Sequence, residues 1–96
     1  ESQVILNGSY NINFTMDLVL KDTGLFDELS KKLKAPLEIS PKVVEIFKDG
    51  QKKYGSRAWS SMIVKRMEDL NNIDFRAEGF PEELIDNEIE EKGYEI

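Results

Sequence analysis

The sequence predicts an all-α fold, a small helical domain of about three main helices with an extended acidic C-terminal tail. Three observations carry this. Apolar residues recur at three- and four-residue steps from Phe14 to Leu70, the period of a helix with one buried face. Pro36, Pro41 and Gly55 punctuate that pattern where helices stop or start. Beyond Ile73 the periodicity fails and acidic residues accumulate: positions 74–96 hold nine acidic and two basic residues, a net −7, which leaves +1 for the rest.

The opening, Val4-Ile5-Leu6 followed by Asn7-Gly8-Ser9-Tyr10-Asn11, is a short apolar run closed by turn formers. A strand fragment and the last turn of a helix fit it equally. Helix one is expected over 14–34, with Asn13 as N-cap and Met16, Val19, Leu20, Leu25, Phe26, Leu29 and Leu33 as its apolar positions. Gly24 inside it costs about 1 kcal/mol relative to alanine, so either the helix bends or something packs close there. Ala35-Pro36 ends it, because a residue before proline avoids the α region.

Ser40-Pro41 pairs a capping hydroxyl with a proline suited to the first turn and predicts helix two over 41–54, with Val43, Val44, Phe47 and Tyr54 apolar and Gly55 as its stop. Helix three is expected over 57–71 from Ser56, with Trp59, Ile63, Met67 and Leu70 on one stripe. Trp59 therefore reads as a core anchor. Residues 1–72 form the helical domain and 73–96 a tail, with one helical turn expected at Glu82–Asp86 after Pro81. Lys31, Lys32 and Lys34 read as a solvated helix end.

Composition excludes several chemistries. With no cysteine and no histidine among the 96 residues, the chain alone has no disulfide, no cysteine or histidine zinc site, no Ser-His-Asp triad and no Cys-His pair. No metal site is expected, since Glu88, Glu90 and Glu91 lack the Asp-x-Asp-x-Asp-Gly scaffold of a calcium loop. A net charge of −6 and a pI near 4.7 argue against a nucleic-acid partner. No apolar run reaches the roughly 18–20 residues that span a bilayer, so no membrane is expected and a cytoplasmic location is.

The stretch richest in chemistry is Phe14-Thr15-Met16-Asp17-Leu18-Val19-Leu20-Lys21-Asp22. Phe14 and Lys21 are seven residues apart, two helical turns, with Asp22 close in angle, so a ligand along that side could meet a ring, an ammonium and a carboxylate. On spacing alone the alternative stands beside it: Phe14 in the core, Lys21 and Asp22 solvated.

That stretch, followed by Gly24-Leu25 and Ala35-Pro36-Leu37, resembles the C-terminal domain of the 3-hydroxyisobutyrate dehydrogenase family of β-hydroxyacid dehydrogenases. Gly55-Ser56-Arg57-Ala58-Trp59-Ser60-Ser61 is similar to that family's glycine turn and aromatic-Ser helix start, with Arg57-Ala58 where acidic residues are common and Trp59 where Phe or Tyr is usual. The resemblance covers roughly residues 5–71. It implies that Lys21 contacts a nicotinamide cofactor, NAD or NADP, and that Phe14 and Asp22 line the adjoining site for a small hydroxy acid. It also implies a partner Rossmann domain, because the Gly-x-Gly-x-x-Gly fingerprint is nowhere in this sequence, and an apolar strip left without that domain favours self-association, so a homo-oligomer is expected. No catalytic residue is expected in this chain; the family's catalytic lysine precedes this segment, and Lys21 does not take its place. The fragment alone is therefore expected to be inactive. A second expectation, of another class, is a stand-alone helical dimerisation or interaction module that does not bind cofactor. A third, a small helical regulator with an acidic partner-binding tail, has no motif behind it.

Overall fold

The computed structural model describes residues 1–83 and 87–93. Its described regular structure is helical, with no named strand: α1 (Ser2–Asn7), α2 (Met16–Leu33), α3 (Ser40–Tyr54), a 3-10 turn (Ser60–Met62) and α4 (Ile63–Asn71). Val4-Ile5-Leu6, open between strand and helix from sequence, belongs to α1.

Helix one is shorter at its front than the periodicity suggests. Asn13 adopts a left-handed φ of 59° and Thr15, extended at φ −100° and ψ 162°, is the N-cap. Neither side chain caps the helix. The N–H groups of Met16 and Asp17 instead donate to the carbonyls of Ala58 (2.9 Å) and Ser56 (3.1 Å), so orphan donors of the first turn are satisfied from the loop before α4. That engagement explains a second difference. With the Ser56 and Ala58 carbonyls committed to α2, residues 56–59 do not wind into helix, and the expected helix over 57–71 becomes a 3-10 turn followed by α4.

Trp59 therefore precedes the helix rather than anchoring its stripe. It is half-buried and forms an antiparallel bridge with Thr15, and Met67 lies exposed. Helix two begins at Ser40, capped by Ile39, with Pro41 in its first turn; Ser40 is helical and not the capping hydroxyl.

α2 and α3 are joined by residues 34–39, with Lys34 in the left-handed cap whose N–H reaches the carbonyls of Lys31 and Ser30. They form an antiparallel hairpin: Met16, at the start of α2, meets Gly50 near the end of α3, while Lys31 and Val44 line the groove between their other ends. Gly50 sits at the tightest point. A Cβ there would fall 2.7 Å from Ile63 Cδ1 and 3.2 Å from Met16 Sδ, so a bare backbone lets α2 and α4 close on α3. Gly24 has nothing within 4 Å of such a Cβ, so the close packing that could have explained it is absent.

The core is small. Val4 and Met16 are fully buried, and Tyr10 and Val44 nearly so. Buried polar groups stitch the elements beside them: Ser61 Oγ donates to the Tyr10 carbonyl (2.5 Å), and the Tyr10 hydroxyl donates to Glu68 Oε1 (2.7 Å). A radius of gyration of 16.5 Å exceeds the about 12–13 Å of a compact chain this long. The thinnest extent, 22 Å, is about two helix diameters.

Past α4, residues 73–83 form no regular helix or strand, and this segment is fastened to α1. Arg76 donates through Nη1 to the Ile5 carbonyl (3.0 Å) and Glu68 Oε1 (3.1 Å), and through Nη2 to the Tyr10 hydroxyl (2.5 Å). Ala77 N donates to the Leu6 carbonyl (3.0 Å), and Asn7 Nδ2 to the Pro81 carbonyl (2.7 Å). Gly8, with φ +82°, fits here twice: it takes the left-handed cap of α1, and a Cβ on it would meet Arg76 Nε at 2.6 Å. Of the turn expected at Glu82–Asp86, Glu82 and Glu83 form a bend, and residues 84–86 lie outside the described residues.

Candidate functional site

The opening that holds Lys21 is the groove between α2 and α3, about 490 Å³, which includes Lys21 and Gly24 on one wall and Lys48 and Gln51 on the other. The antiparallel hairpin sets this up. At 100° per residue, Lys21, Gly24 and Glu28 share one side of α2, while Val44, Lys48 and Gln51 follow one another at four and three residues on α3. Gly24 has no side chain to fill the space between the walls.

The charges in the groove are not equivalent. Asp27 holds Lys31 at 3.3 Å. Lys21 lies 3.9 Å from Asp22, with both side chains more than half exposed, and such a pair is worth little in water. Lys48 forms no ion pair among the described residues. Two ammonium groups on opposite walls therefore remain available to an anionic or hydroxyl-rich ligand, beside the Gln51 amide, which donates to Ser56 Oγ at 3.0 Å, and the Glu28 carboxylate.

Phe14 and Asp22 do not join Lys21 there. Phe14 precedes the first helical residue, so the two-turn alignment with Lys21 does not form. Its carbonyl accepts from Ser60 N at 2.7 Å and ties it to the loop leading into α4. Its ring is partly open to solvent. Asp22 follows Lys21 on α2 but points about 100° away, among Leu18, Leu25 and Leu29 on another face. Sequence reasoning brought forward three residues; the structure puts one of them, Lys21, in the groove. It missed Lys48 and Gln51, whose signal was only their i, i+3 spacing after Val44.

A second cleft of about 430 Å³ lies at the start of α2, lined by Asn13, Thr15, Asp17, Leu18, Arg57 and Trp59. The Thr15 hydroxyl hydrogen-bonds Asp17, and this bond, with the Asp17–Leu18 backbone bond and the Arg57 charge adding to it, holds the Asp17 carboxyl below its ordinary range. Here the residues that depart from the resemblance, Arg57 and Trp59, come together.

Two ionic networks brace the helices around these openings. Asp49 on α3 accepts from Arg66 Nε (2.6 Å) and lies 3.1 Å from Lys53 Nζ, and those partners hold its carboxyl low. Tyr54 donates to Asp69 Oδ2 (2.6 Å); burial first, then that bond, pushes its hydroxyl up to about 12. Among the described residues no group of three or more acidic side chains could hold a metal ion, and no helix is long and apolar enough to cross a membrane.

No protein-family model, curated protein or solved structure matches this chain.

Proposed function

We propose that the chain is the helical substrate- and cofactor-closing domain of an NAD(P)-dependent dehydrogenase acting on a small 3-hydroxy acid. A separate nucleotide-binding domain would supply the glycine-rich phosphate cradle, and the proton acceptor would likewise come from outside this chain. The observation that carries this reading is the Lys21 ammonium, open to solvent at the groove between α2 and α3 and engaged only by a weak contact to Asp22. The residue resemblance around Phe14–Asp22 supplies the reaction class.

The groove residues fit one wall of a dinucleotide site and no more. Lys21 and Lys48 can donate to phosphate or ribose oxygens, and Gln51 to a carboxamide or hydroxyl. The dinucleotide, when bound, supplies the hydride chemistry, and this chain's part is to orient it and exclude water. Phe14 and Asp22 lie outside the groove, so their part in substrate binding would require a partner domain that bridges the two faces.

The test uses the longer gene product carrying a nucleotide-binding domain, assayed with NAD and NADP on a series of 3-hydroxy acids. Lys21→Ala is expected to raise the cofactor KM by about tenfold, the loss of one charge-assisted hydrogen bond. The 96-residue chain alone is expected not to turn over. An unchanged KM would remove Lys21 from the site, and turnover by the chain alone would overturn the division of labour.

A second reading, a stand-alone helical interaction module without cofactor, is favoured by a different observation, the apolar face of α2 that no described element covers. Amide chemical shifts recorded while NADH is added separate the two. Movement centred on Lys21 and Lys48 supports the dehydrogenase reading, and silence up to about 10 mM, beyond the weakest useful affinity, supports the module.

A further inference from the structure

A short antiparallel pairing lies in front of α2, and its register puts five polar or aromatic side chains on one face. Met16 N–H donates to the Ala58 carbonyl (2.9 Å) and Ser60 N–H to the Phe14 carbonyl (2.7 Å). Thr15 and Trp59, bridged between them, therefore form the close, non-hydrogen-bonded kind of pair, with Cα atoms about 4.5 Å apart. Side chains alternate across such a pairing. Asn13 and Asp17, two residues either side of Thr15, and Arg57, two before Trp59, thus project with the bridged pair, and these five with Leu18 line the cleft of about 430 Å³. That size lies within the about 300–1,000 Å³ of small-molecule pockets.

The cleft holds opposite charges that do not meet. The Arg57 guanidinium is exposed and forms no hydrogen bond or ion pair among the described residues. Asp17 faces it across the pairing. The Thr15 bond first, and the Arg57 charge further down, hold the Asp17 carboxyl low, yet the two charges stay beyond ion-pair reach. Thr15 Oγ1 and the Leu18 N–H (3.0 Å) both donate to Asp17 Oδ1, which fixes the carboxylate and leaves Oδ2 with no hydrogen bond among the described residues. The half-buried Trp59 ring stands next along the same face, its indole N–H also without a partner among them. The Met16 and Asp17 N–H groups are already committed to Ala58 and Ser56, so recognition here falls to side chains.

We propose that this cleft binds a free α-amino acid with an aromatic side chain. The carboxylate takes the Arg57 fork in two parallel hydrogen bonds, the ammonium fills the gap to Asp17 Oδ2, and the ring packs on Trp59. An anion alone would satisfy Arg57 and be repelled by Asp17; a cation alone would satisfy Asp17 and be repelled by Arg57. A zwitterion answers both, and an α-amino acid carries its two charges on one carbon, as two residues facing each other across paired backbones require. Binding there needs no dinucleotide and does not depend on what the Lys21 groove holds.

Trp59 is the only tryptophan in the chain, so its fluorescence reports on this cleft directly. L-Phenylalanine titrated to about 30 mM should give a saturable change with a half-point between about 0.1 and 3 mM, the range open to a ligand of its size. Three analogues should each bind at least about tenfold more weakly: 3-phenylpropionate, which lacks the ammonium, phenethylamine, which lacks the carboxylate, and L-alanine, which lacks the ring. Arg57→Gln should weaken L-phenylalanine by about tenfold and bring it to within about twofold of phenethylamine; Asp17→Asn should bring it level with 3-phenylpropionate in the same way. Arg57 is exposed, so its variant is expected to keep the far-UV circular dichroism of the native chain, and it decides the matter alone if Asp17→Asn unfolds. The proposal is overturned by the absence of a saturable response, by a response indifferent to Arg57→Gln, or by any of the three analogues matching L-phenylalanine.

Discussion

Replacing Arg76 by methionine, a side chain of similar length without charge, tests whether the strap over α1 is part of the folded core. Glu68 is the partner that decides the magnitude. Its side chain is 3% exposed, and Arg76 is the cation that balances it, through contacts of 3.1 and 3.4 Å to its two oxygens. The guanidinium also donates to the Ile5 carbonyl and the Tyr10 hydroxyl and lies 4.9 Å from the Tyr10 ring centroid. Removing one member of a buried pair costs about 3–5 kcal/mol, chiefly because the other charge is left unmatched. Arg76 is itself one-third exposed, so water can partly reach its place, and the lower end, about 3 kcal/mol, applies. A chain of this length has roughly 5–14 kcal/mol of total stability. The variant should therefore lose about 12–24 °C in Tm by calorimetry, with urea melts read alongside. If the cost comes from the stranded carboxylate, Glu68→Met with Arg76→Met should be more stable than Arg76→Met alone. A single variant within 0.5 kcal/mol of the native chain, about the scale of an ordinary surface change, or a double variant that merely adds the two losses, would refute the reasoning.

Other outcomes follow from named contacts. Tyr54 titrates at about 12 in the folded chain against an ordinary 10.0, so the protonated hydroxyl is favoured by folding; the stability it contributes is complete below pH 10 and is lost as pH rises through 12. Absorbance titration near 295 nm, a wavelength chosen for tyrosinate, should show late tyrosine titration that Tyr54→Phe reduces, with Tyr10, whose hydroxyl burial and the Glu68 bond also push up, remaining late. Asp49 and Asp69 are lowered by hydrogen bonds, from Arg66 and then Lys53 for the first and from Tyr54 and then Lys65 for the second. Their contribution is present above the ordinary 3.8 and is lost as pH falls below it, which acid melts of Arg66→Met should show as a shallower loss. The two helical glycines should respond with opposite signs. Gly24→Ala meets no neighbour and should add about 0.5–1 kcal/mol. Gly50→Ala drives a methyl onto Ile63 and Met16 and should cost about 1–2 kcal/mol net, and a stabilised Gly50 variant would show that the three helices are not closed there.

Which features were legible in the sequence depends on how far apart their causes lie along the chain. The helices are local: three- and four-residue steps, Ser40-Pro41 and Gly55 placed α2 and α3 to within about two residues. The front of α2 and the start of α4 were misplaced together, for one reason. The carbonyls of Ser56 and Ala58 cap a helix some forty residues earlier, and no pattern within either segment announces that exchange. Phe14 was expected on the Lys21 face because helical periodicity was carried two residues past the true N-cap. Glu68 and Arg76 read as surface charges in sequence, since Glu68 lies opposite the apolar stripe of α4, until the fold brings Tyr10 from 58 and 66 residues away to satisfy both.

The same distance argument bears on the apolar residues. Periodicity counted Leu25, Phe26, Leu29 and Leu33 as core, together with Met16, Val19 and Leu20, because a pattern reports that a side chain avoids water and not which surface shelters it. The hairpin partner α3 can cover only one side of α2, so the sequence specifies more apolar surface than this fold conceals. With Val4, Tyr10, Met16 and Val44 as the buried apolar residues among those described, the described hydrophobic interior is slight, and Arg76, Glu68 and the exchanged backbone bonds hold α1, α2 and α4 where packing alone is thin. Covering the open side of α2 would therefore stabilise the fold, and whatever binds that side should raise the Tm with its concentration.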